Sequence, residues 1–165
     1  MTAAYDDVLD TPAATEAVGA LIGRAWTGAG EPGCFVVLEG DLGAGKTTLM
    51  RGLLRALGEP GPIRSPTYTL LETYQPRPGR FVHHLDCYRI DGWDALEDIG
   101  FRDLLQPATL VAVEWPAKVP GLAARADLAL RLEPVAERRR LHVLARTALG
   151  HALLPGRGHR REVKP

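Results

Sequence analysis

The sequence predicts an α/β fold, a three-layer sandwich with a mostly parallel central sheet and added antiparallel strands near the C-terminus. Three observations lead to this prediction. Apolar runs of strand length alternate with segments whose apolar residues have helical spacing. One apolar run leads directly into a glycine-rich loop and then a helical pattern. Two later segments, 128–132 and 141–145, alternate apolar with polar or small residues, as sheet strands do.

The first part of the chain is predicted to form a helix, a strand and a second helix. Apolar residues at helical spacing indicate a helix from Ala13 to Trp26. The apolar run Phe35–Glu39 indicates a buried strand, and Lys46–Leu57 a helix that ends at Gly58. Gly58 to Pro66 contains two glycines and three prolines, so we expect a loop there.

The rest of the chain is predicted to be richer in strands, for a total of about six strands and three or four helices. The helical segment in this region should break near a glycine, and the run at 109–114 is apolar enough for a strand buried on both faces. In chain order we expect a strand at Tyr68–Tyr74, a connection at Gln75 to Gly79, a strand at Phe81–Asp86, a helix at Asp94–Leu105 that breaks near Gly100 and has Asp94 as N-cap, a strand at Thr109–Glu114, and two strands flanking Pro134.

Length and composition indicate one globular domain over residues 1–149, followed by a basic, disordered tail at 150–165. Twenty basic and twenty acidic residues give a net charge of zero, which argues against direct DNA binding through a strongly basic surface. There is no apolar run of membrane-spanning length, and the acidic N-terminus is unlike a signal peptide, so we expect a cytoplasmic protein without membrane association. Cys34 and Cys87 lack metal-ligand spacing and are interpreted as buried small hydrophobic residues.

The strongest functional signal is the stretch Gly40–Thr47, which fits the phosphate-binding (Walker A) pattern G-x-x-x-x-G-K-[ST] between a strand and a helix. This context predicts a P-loop NTPase-like fold that binds ATP with Mg²⁺. Glycines let backbone N–H groups surround phosphates, Lys46 reaches the β- and γ-phosphates, and Thr47 ligates Mg²⁺. No guanine-reading segment occurs, which favours ATP over GTP. The predicted nucleotide contacts from this stretch are Gly40, Asp41, Leu42, Gly43, Ala44, Gly45, Lys46, Thr47 and Thr48.

A triphosphate site also needs an acid near Mg²⁺ or the attacking water, usually at the carboxyl end of a buried strand. Glu114 ends the apolar run 110–113, and Asp86 ends the strand candidate that begins at Phe81. We therefore predict that both are catalytic, together with Lys46, without deciding which acid orients the water. The alternative for each acid is a strand-end residue that caps a nearby turn.

Other residues near these motifs have more than one interpretation. Thr67 belongs to a loop that either closes over the γ-phosphate as a switch or merely leads into the next strand after Pro66. Arg89 is predicted to form a local ion pair, and Trp115 either lines the site or packs in the core. His83 and His84 should point to opposite faces of a strand, and neither is expected to be a metal ligand. Arg138–Arg140 are expected in a solvated turn, although one of these arginines could reach a phosphate or a partner.

Taken together in chain order, these motifs resemble the bacterial TsaE (YjeE) family of small ATPases. The resemblance spans roughly residues 11 to 146, and the motifs around the loop are more specific than the loop alone. The matching segments are Leu38–Thr48, Ser65–Leu70, His84–Ile90, Leu96–Phe101 and Val113–Pro116, with Thr15 and Gly19 upstream.

The resemblance implies that Thr47 and Glu114 bind Mg²⁺, that Asp86 lies near the phosphates and is needed for hydrolysis, and that Thr15 contacts the nucleotide. It also implies a role in making threonylcarbamoyladenosine in tRNA. Members of the family act with a heterodimer of the TsaD transferase and TsaB, which performs the group transfer. The ATPase is thought to reset that transferase and meets tRNA only through the complex.

Two other functions remain open at this point. A small-molecule kinase could use the same loop, although no arginine-rich lid insertion is evident. A binding module could use ATP as a conformational ligand, with hydrolysis incidental.

Overall fold

The computed structural model describes residues 3–154 of the 165-residue chain. Across this range there are seven strands and five α-helices, together with two short 3₁₀ turns at Pro116–Lys118 and Ala123–Arg125. In chain order the elements are β1 (Ala3–Leu9), α1 (Pro12–Gly28), β2 (Cys34–Glu39), α2 (Lys46–Leu57), β3 (Leu71–Arg77), β4 (Arg80–Asp86), α3 (Gly92–Asp98), α4 (Phe101–Leu104), β5 (Thr109–Glu114), β6 (Leu128–Val135), β7 (Arg138–Ala145) and α5 (Ala148–Leu153).

The strands form a single sheet in the order β1-β7-β6-β2-β5-β4-β3. Its four central strands, β6, β2, β5 and β4, are parallel to one another. Antiparallel pairing extends the sheet at both ends, with β7 beside β6 and β1 beside β7 at one end, and with β3 beside β4 at the other. The predicted α/β fold class is confirmed, although β6 joins the parallel part and only β7 adds an antiparallel strand at the C-terminal end.

Alternation along the central strands divides the core into two apolar clusters, one on each face of the sheet. In β2, Val36 and Leu38 pack on the face covered by α1 and α2, whereas Phe35 and Val37 pack on the face covered by α3, α4 and the segment 116–126. The sheet with a layer on each face is the predicted three-layer sandwich.

Helices α1 and α2 approach so closely that glycine is required at their contact. A Cβ atom on Gly52 would lie 1.9 Å from the carbonyl oxygen of Glu16, and one on Gly19 would lie 2.0 Å from that of Leu49. Both distances are far inside van der Waals contact. The two glycines therefore let α1 lie against α2, the helix that begins at the phosphate-binding loop.

Strand β3, at one edge of the sheet, begins later than predicted. Residues 66–69 form a turn, and β3 runs over Leu71–Arg77 instead of Tyr68–Tyr74. The predicted connection at Gln75 to Gly79 is also wrong at its start, because Pro76 lies inside β3. Proline is tolerated there because β3 is an edge strand and its register shifts between Tyr74 and Arg77.

Two further local predictions are wrong. Asp91, and not Asp94, is the N-cap residue of α3, which places Asp94 in the first turn of that helix. Pro134 lies within β6 and does not separate two strands, since β6 continues to Val135. The predicted break at Gly100 is confirmed, because this residue has a φ of 76° between α3 and α4.

Both ends of the chain contain structure that the sequence pattern did not indicate. Strand β1 pairs antiparallel with β7 along the acidic N-terminal segment. Helix α5 passes through position 149, where the domain was predicted to end, and its Leu153 is fully buried. Residues 150–153 are therefore helical, and the predicted disorder of 155–165 lies outside the described residues.

Both cysteines are buried free thiols, as expected. Burial, with a contribution from the charge of Asp127, raises the pKa of Cys34, and burial together with the charge of Asp86 raises that of Cys87 to about 12. Within residues 3–154, no helix has the length and apolar character needed to cross a membrane.

Candidate functional site

The glycine-rich loop joins β2 to α2 at the carboxyl edge of the parallel strands. Gly40, Gly43 and Gly45 have φ angles of 143°, 79° and 112°, a region that favours glycine. A Cβ atom on Gly40 would also lie 2.6 Å from the carbonyl oxygen of Leu132. The predicted loop therefore has the left-handed backbone that lets consecutive N–H groups face an anion.

Lys46, the first residue of α2, is 6% exposed and lies under this loop. Its Nζ donates hydrogen bonds to the carbonyl oxygens of Gly40 and Asp41, the second at 3.1 Å. The same atom lies 3.7 Å from Oε2 of Glu114 and 5.0 Å from the ring centroid of Trp115. Lys46 therefore joins the phosphate-binding loop to the end of β5.

Sheet register places the two predicted acids side by side. Asp86 of β4 and Glu114 of β5 are register partners at the carboxyl ends of neighbouring parallel strands. They are 2% and 3% exposed, so both carboxylates lie in a region of low dielectric. The structure therefore brings both acids to the strand edge beside Lys46.

Asp86 caps a nearby turn, which is one of the two roles that its sequence position allowed, and it also keeps one carboxylate oxygen without a partner. Its Oδ1 accepts a hydrogen bond of 2.7 Å from the backbone N–H of Tyr88 and so caps the turn after β4. Its Oδ2 is buried and has no hydrogen-bond partner among the described residues. A buried carboxylate oxygen without a partner is costly, which favours a ligand or a water at this atom.

Both carboxylate oxygens of Glu114 have a polar neighbour. Its Oε2 faces Lys46, and its Oε1 lies 2.8 Å from Nε2 of His84. His84 was expected to have no ligand role, and its contact with Glu114 was missed. The available signal was its spacing of two residues from Asp86, which puts both side chains on one face of β4. As predicted, the adjacent His83 faces the other way and bonds to Thr73 at 2.9 Å.

The phosphate-binding loop, Lys46 and Glu114 line an open cavity of about 450 Å³. Among the predicted nucleotide contacts, Leu42 is 87% exposed at its rim, whereas Thr48 lies at its wall. Neither Asp86 nor Thr15 lines it directly, although Thr15 is buried beside Gly45. The lining residues are Leu42, Gly43, Gly45, Lys46, Thr47, Thr48, Ser65, Thr67, Tyr88, Glu114 and Trp115.

Trp115 lines the cavity and also packs against the apolar core, so both interpretations left open from the sequence apply. It has a φ of 55° and a ψ of 46°, a left-handed conformation that costs roughly 1–2 kcal/mol for a residue with a Cβ atom. Its ring packs edge-to-face against Tyr88 with centroids 5.2 Å apart. The sharp turn after Glu114 thus places an aromatic wall next to Lys46.

The candidate switch loop at 65–69 contributes to the wall of the cavity. Ser65 and Thr67 line the cavity, and their hydroxyl oxygens are 2.8 Å apart. Arg89 donates a hydrogen bond to the carbonyl oxygen of Thr67. The contact we find for Arg89 is this bond to the switch loop, and not the acidic partner that was predicted.

The three consecutive arginines lie in β7, not in a solvated turn. Arg139 reaches the phosphate-binding loop, where its Nε lies 3.1 Å from the carbonyl oxygen of Ala44 and one terminal nitrogen lies 3.4 Å from that of Gly43. Arg138 lies 3.6 Å from Asp10 at the surface. The contact between Arg139 and the loop was therefore missed, since it depends on the position of the final hairpin.

The donor set fits Mg²⁺ bound together with a nucleotide. Within residues 3–154, no three His, Cys, Asp or Glu side chains converge as a protein-only metal site. Mg²⁺ commonly takes only one or two carboxylates and completes its shell with phosphates and water. Thr47 and Glu114 at the cavity, with the unpartnered Oδ2 of Asp86 nearby, meet that requirement.

Comparisons with known proteins identify one family. The family model described as "Threonylcarbamoyl adenosine biosynthesis protein TsaE" matches residues 9–141. The chain is 38% identical to the tRNA threonylcarbamoyladenosine biosynthesis protein TsaE of Haemophilus influenzae, over 75% of this chain and 78% of that protein. It is 33% identical to the protein of the same name from Treponema pallidum, over 72% and 84% of the two chains. The crystal structure of Bacillus subtilis YdiB has the same fold, with a TM-score of 0.65, 24% identity and 93% of each chain covered.

Proposed function

Because this chain belongs to the TsaE family, which takes part in tRNA threonylcarbamoyladenosine biosynthesis, we propose that it is the Mg²⁺-dependent ATPase of that modification. Its cycle of ATP binding and hydrolysis would support turnover of a TsaB–TsaD-type transferase heterodimer, which transfers the threonylcarbamoyl group. The protein would meet tRNA only through that complex, in the cytoplasm.

One observation carries the proposal: buried Lys46 lies between the phosphate-binding loop and Glu114, at the wall of a cavity large enough for phosphates. The site has a cation, loop N–H groups and Glu114 around one space, and the second buried acid, Asp86, lies beside Glu114. These are the groups that phosphoryl transfer to water requires, because its transition state is stabilised mainly by positioning and electrostatics.

Each group has a distinct task in this proposal. Lys46 and the loop N–H groups bind the β- and γ-phosphates and stabilise the charge that develops between them. Thr47 and Glu114 would hold Mg²⁺, which when bound supplies further neutralisation of phosphate charge. Asp86 has a free oxygen with which to accept a proton from, or orient, an attacking water.

The test is to combine the purified chain with the transferase pair. We expect co-purification to depend on ATP, phosphate release to increase when the pair is present, and modified adenosine to appear in tRNA only when this chain is able to hydrolyse ATP. Lys46→Ala is the inactive comparison, and Lys118→Ala is its control, because it removes a lysine that is exposed and contacts Tyr88 instead of the loop.

Two outcomes would replace the proposal. Phosphate found on a small acceptor, with little free phosphate, would indicate a kinase. Full tRNA modification by a chain that binds ATP but cannot hydrolyse it, such as Glu114→Gln, would indicate a module in which ATP is only a conformational ligand.

A further inference from the structure

His84 is a fully buried imidazole directly behind the active-site acid Glu114. It is 0% exposed, and its Nε2 lies 2.8 Å from Oε1 of Glu114. Its other ring nitrogen, Nδ1, is also buried and has no hydrogen-bond partner among the described residues. The hydrogen bond to Glu114 is therefore the polar contact that the His84 ring makes within the described residues.

The chemistry of the pair determines which atom donates. A carboxylate only accepts hydrogen bonds, so the imidazole must carry a hydrogen on Nε2 and donate it to Oε1. The bond occupies Oε1 and leaves Oε2 facing Lys46, at 3.7 Å, and the cavity.

Packing alone gives no reason for an imidazole at this position. Its register partner on β5 is Ala112, and Val82, two residues before it on the same face of β4, belongs to the apolar core. An apolar residue would fill the space without burying a polar ring that keeps an unpartnered nitrogen. The hydrogen bond to Glu114 offsets part of the free-energy cost of burying the imidazole ring.

We propose that His84 is a positioning residue that holds Glu114 in the rotamer in which Oε2 faces Mg²⁺ and the phosphates. The inference rests on the proposed function. His84 itself touches neither metal nor nucleotide in this assignment and acts through the carboxylate. Residues that orient a metal ligand from behind commonly contribute about 10–100-fold to metal affinity or activity.

The test measures how much Mg²⁺ strengthens nucleotide binding. A fluorescent ADP derivative is titrated into the full chain in EDTA and again in Mg²⁺, and the ratio of the two Kd values is the gain due to the metal. For His84→Leu we expect this gain to fall about 10-fold or more, with the Kd in EDTA within about twofold of the parent. His84→Gln retains an amide donor of similar reach and should keep the gain within about threefold.

His83→Leu is the matched control, because His83 is the neighbouring histidine on the opposite face and bonds to Thr73. It should leave the Mg²⁺-dependent gain unchanged. Thermal unfolding of every variant checks the fold. If His84→Leu does not fold, His84→Asn replaces it, since its amide is too short to reach Glu114 and should show the same loss relative to His84→Gln.

The outcomes separate this inference from the function on which it rests. A parent chain with no Mg²⁺-dependent gain would overturn both. If His84→Leu kept the same Mg²⁺-dependent gain in nucleotide affinity as the parent, only the positioning role would be overturned. An equal weakening of binding in EDTA and in Mg²⁺ would also overturn it, because it would indicate only a structural role.

Discussion

The two halves of the site are built in different ways. The phosphate-binding half is the contiguous stretch Gly40–Thr47, whose shape comes from glycines with positive φ and from bonds within the loop. The strand-end half is assembled from distant positions, since His84 and Glu114 are 30 residues apart and meet only because β4 and β5 pair in parallel. A local segment therefore supplies the phosphate contacts, and the fold supplies the acids.

The halves also differ in solvation. Asp41, Leu42 and Gly43 of the loop are exposed, whereas His84, Asp86 and Glu114 are at most 3% exposed. Charges at the strand ends therefore interact in a lower dielectric than the loop does. Lys46 is the residue that contacts both halves, so its removal should have the largest effect.

Lys46→Ala should abolish nucleotide binding, with an affinity loss of about 100-fold or more, because it removes a charge-assisted phosphate contact. It also leaves buried Glu114 without its cationic neighbour. Isothermal titration with ATP and Mg²⁺ measures the loss, with Lys118→Ala as the control. Binding within fivefold of the parent would show that the loop holds phosphate without its lysine.

Glu114→Gln and Asp86→Asn should separate the strand-end half from the loop. We expect turnover to fall about 100- to 1000-fold, because the acids act on the reacting groups, while ATP affinity measured in EDTA stays within about fivefold. In Mg²⁺, Glu114→Gln should lose at least as much affinity as His84→Leu, because Glu114 is the proposed metal ligand. Phosphate release in the presence of the transferase pair measures turnover. Glu133→Gln, a change at an acid paired with Arg131, is the control. If both acid variants hydrolysed ATP at the parental rate, the assignment of the site would be wrong.

The comparison also explains how much of the site could be predicted from the sequence. The loop was predictable because its motif is contiguous and each residue type has a local task. Asp86 and Glu114 were predictable as strand-end acids because each ends a short segment of strand character, which is continuously apolar in β5 and contains two histidines in β4. The roles of His84 and Arg139 were not, because a contact between elements depends on register and packing, which no local pattern records.

The fold, like the site, was predictable from the sequence only where the signal is local. Helix α2 and strand β5 have the predicted bounds, because a glycine ends the first and the second is continuously apolar. Strand β1 was missed because Asp6 and Asp7 give it a polar sequence, and its pairing with the distant β7 makes it a strand. The start of β3 was misplaced because a turn at 66–69 has β-favouring residues.

Gly52→Ala tests whether the loop half also relies on distant packing, here of α1 on α2. The added methyl would lie 1.9 Å from the carbonyl oxygen of Glu16, so we expect the free energy of unfolding to fall by about 3 kcal/mol. Gly28→Ala is the control, since a Cβ atom there meets nothing within 4 Å, and it should change stability by less than about 1 kcal/mol. Urea unfolding measures both. An unchanged midpoint for Gly52→Ala would mean that the helices separate at little cost.

Arg139→Ala is expected to have the smallest effect and tests the comparison most directly. The side chain spans from β7 to the loop carbonyls of Ala44 and Gly43, so its loss removes a non-local support from the half that is otherwise local. Loss of one to two hydrogen bonds predicts about 3- to 10-fold weaker ATP binding, with little change in stability because the side chain is only half-buried.

Two matched changes separate support of the loop from simple charge. Arg138→Ala removes the neighbouring guanidinium, which lies near Asp10, and should leave binding unchanged. Arg139→Lys keeps the charge but lacks the planar fork that reaches two carbonyls, so it should bind ATP about as weakly as Arg139→Ala. Recovery of parental affinity by Arg139→Lys would assign the effect to charge. Parental affinity in Arg139→Ala would show that the glycines and internal bonds of Gly40–Thr47 shape the phosphate-binding half without help from the rest of the fold.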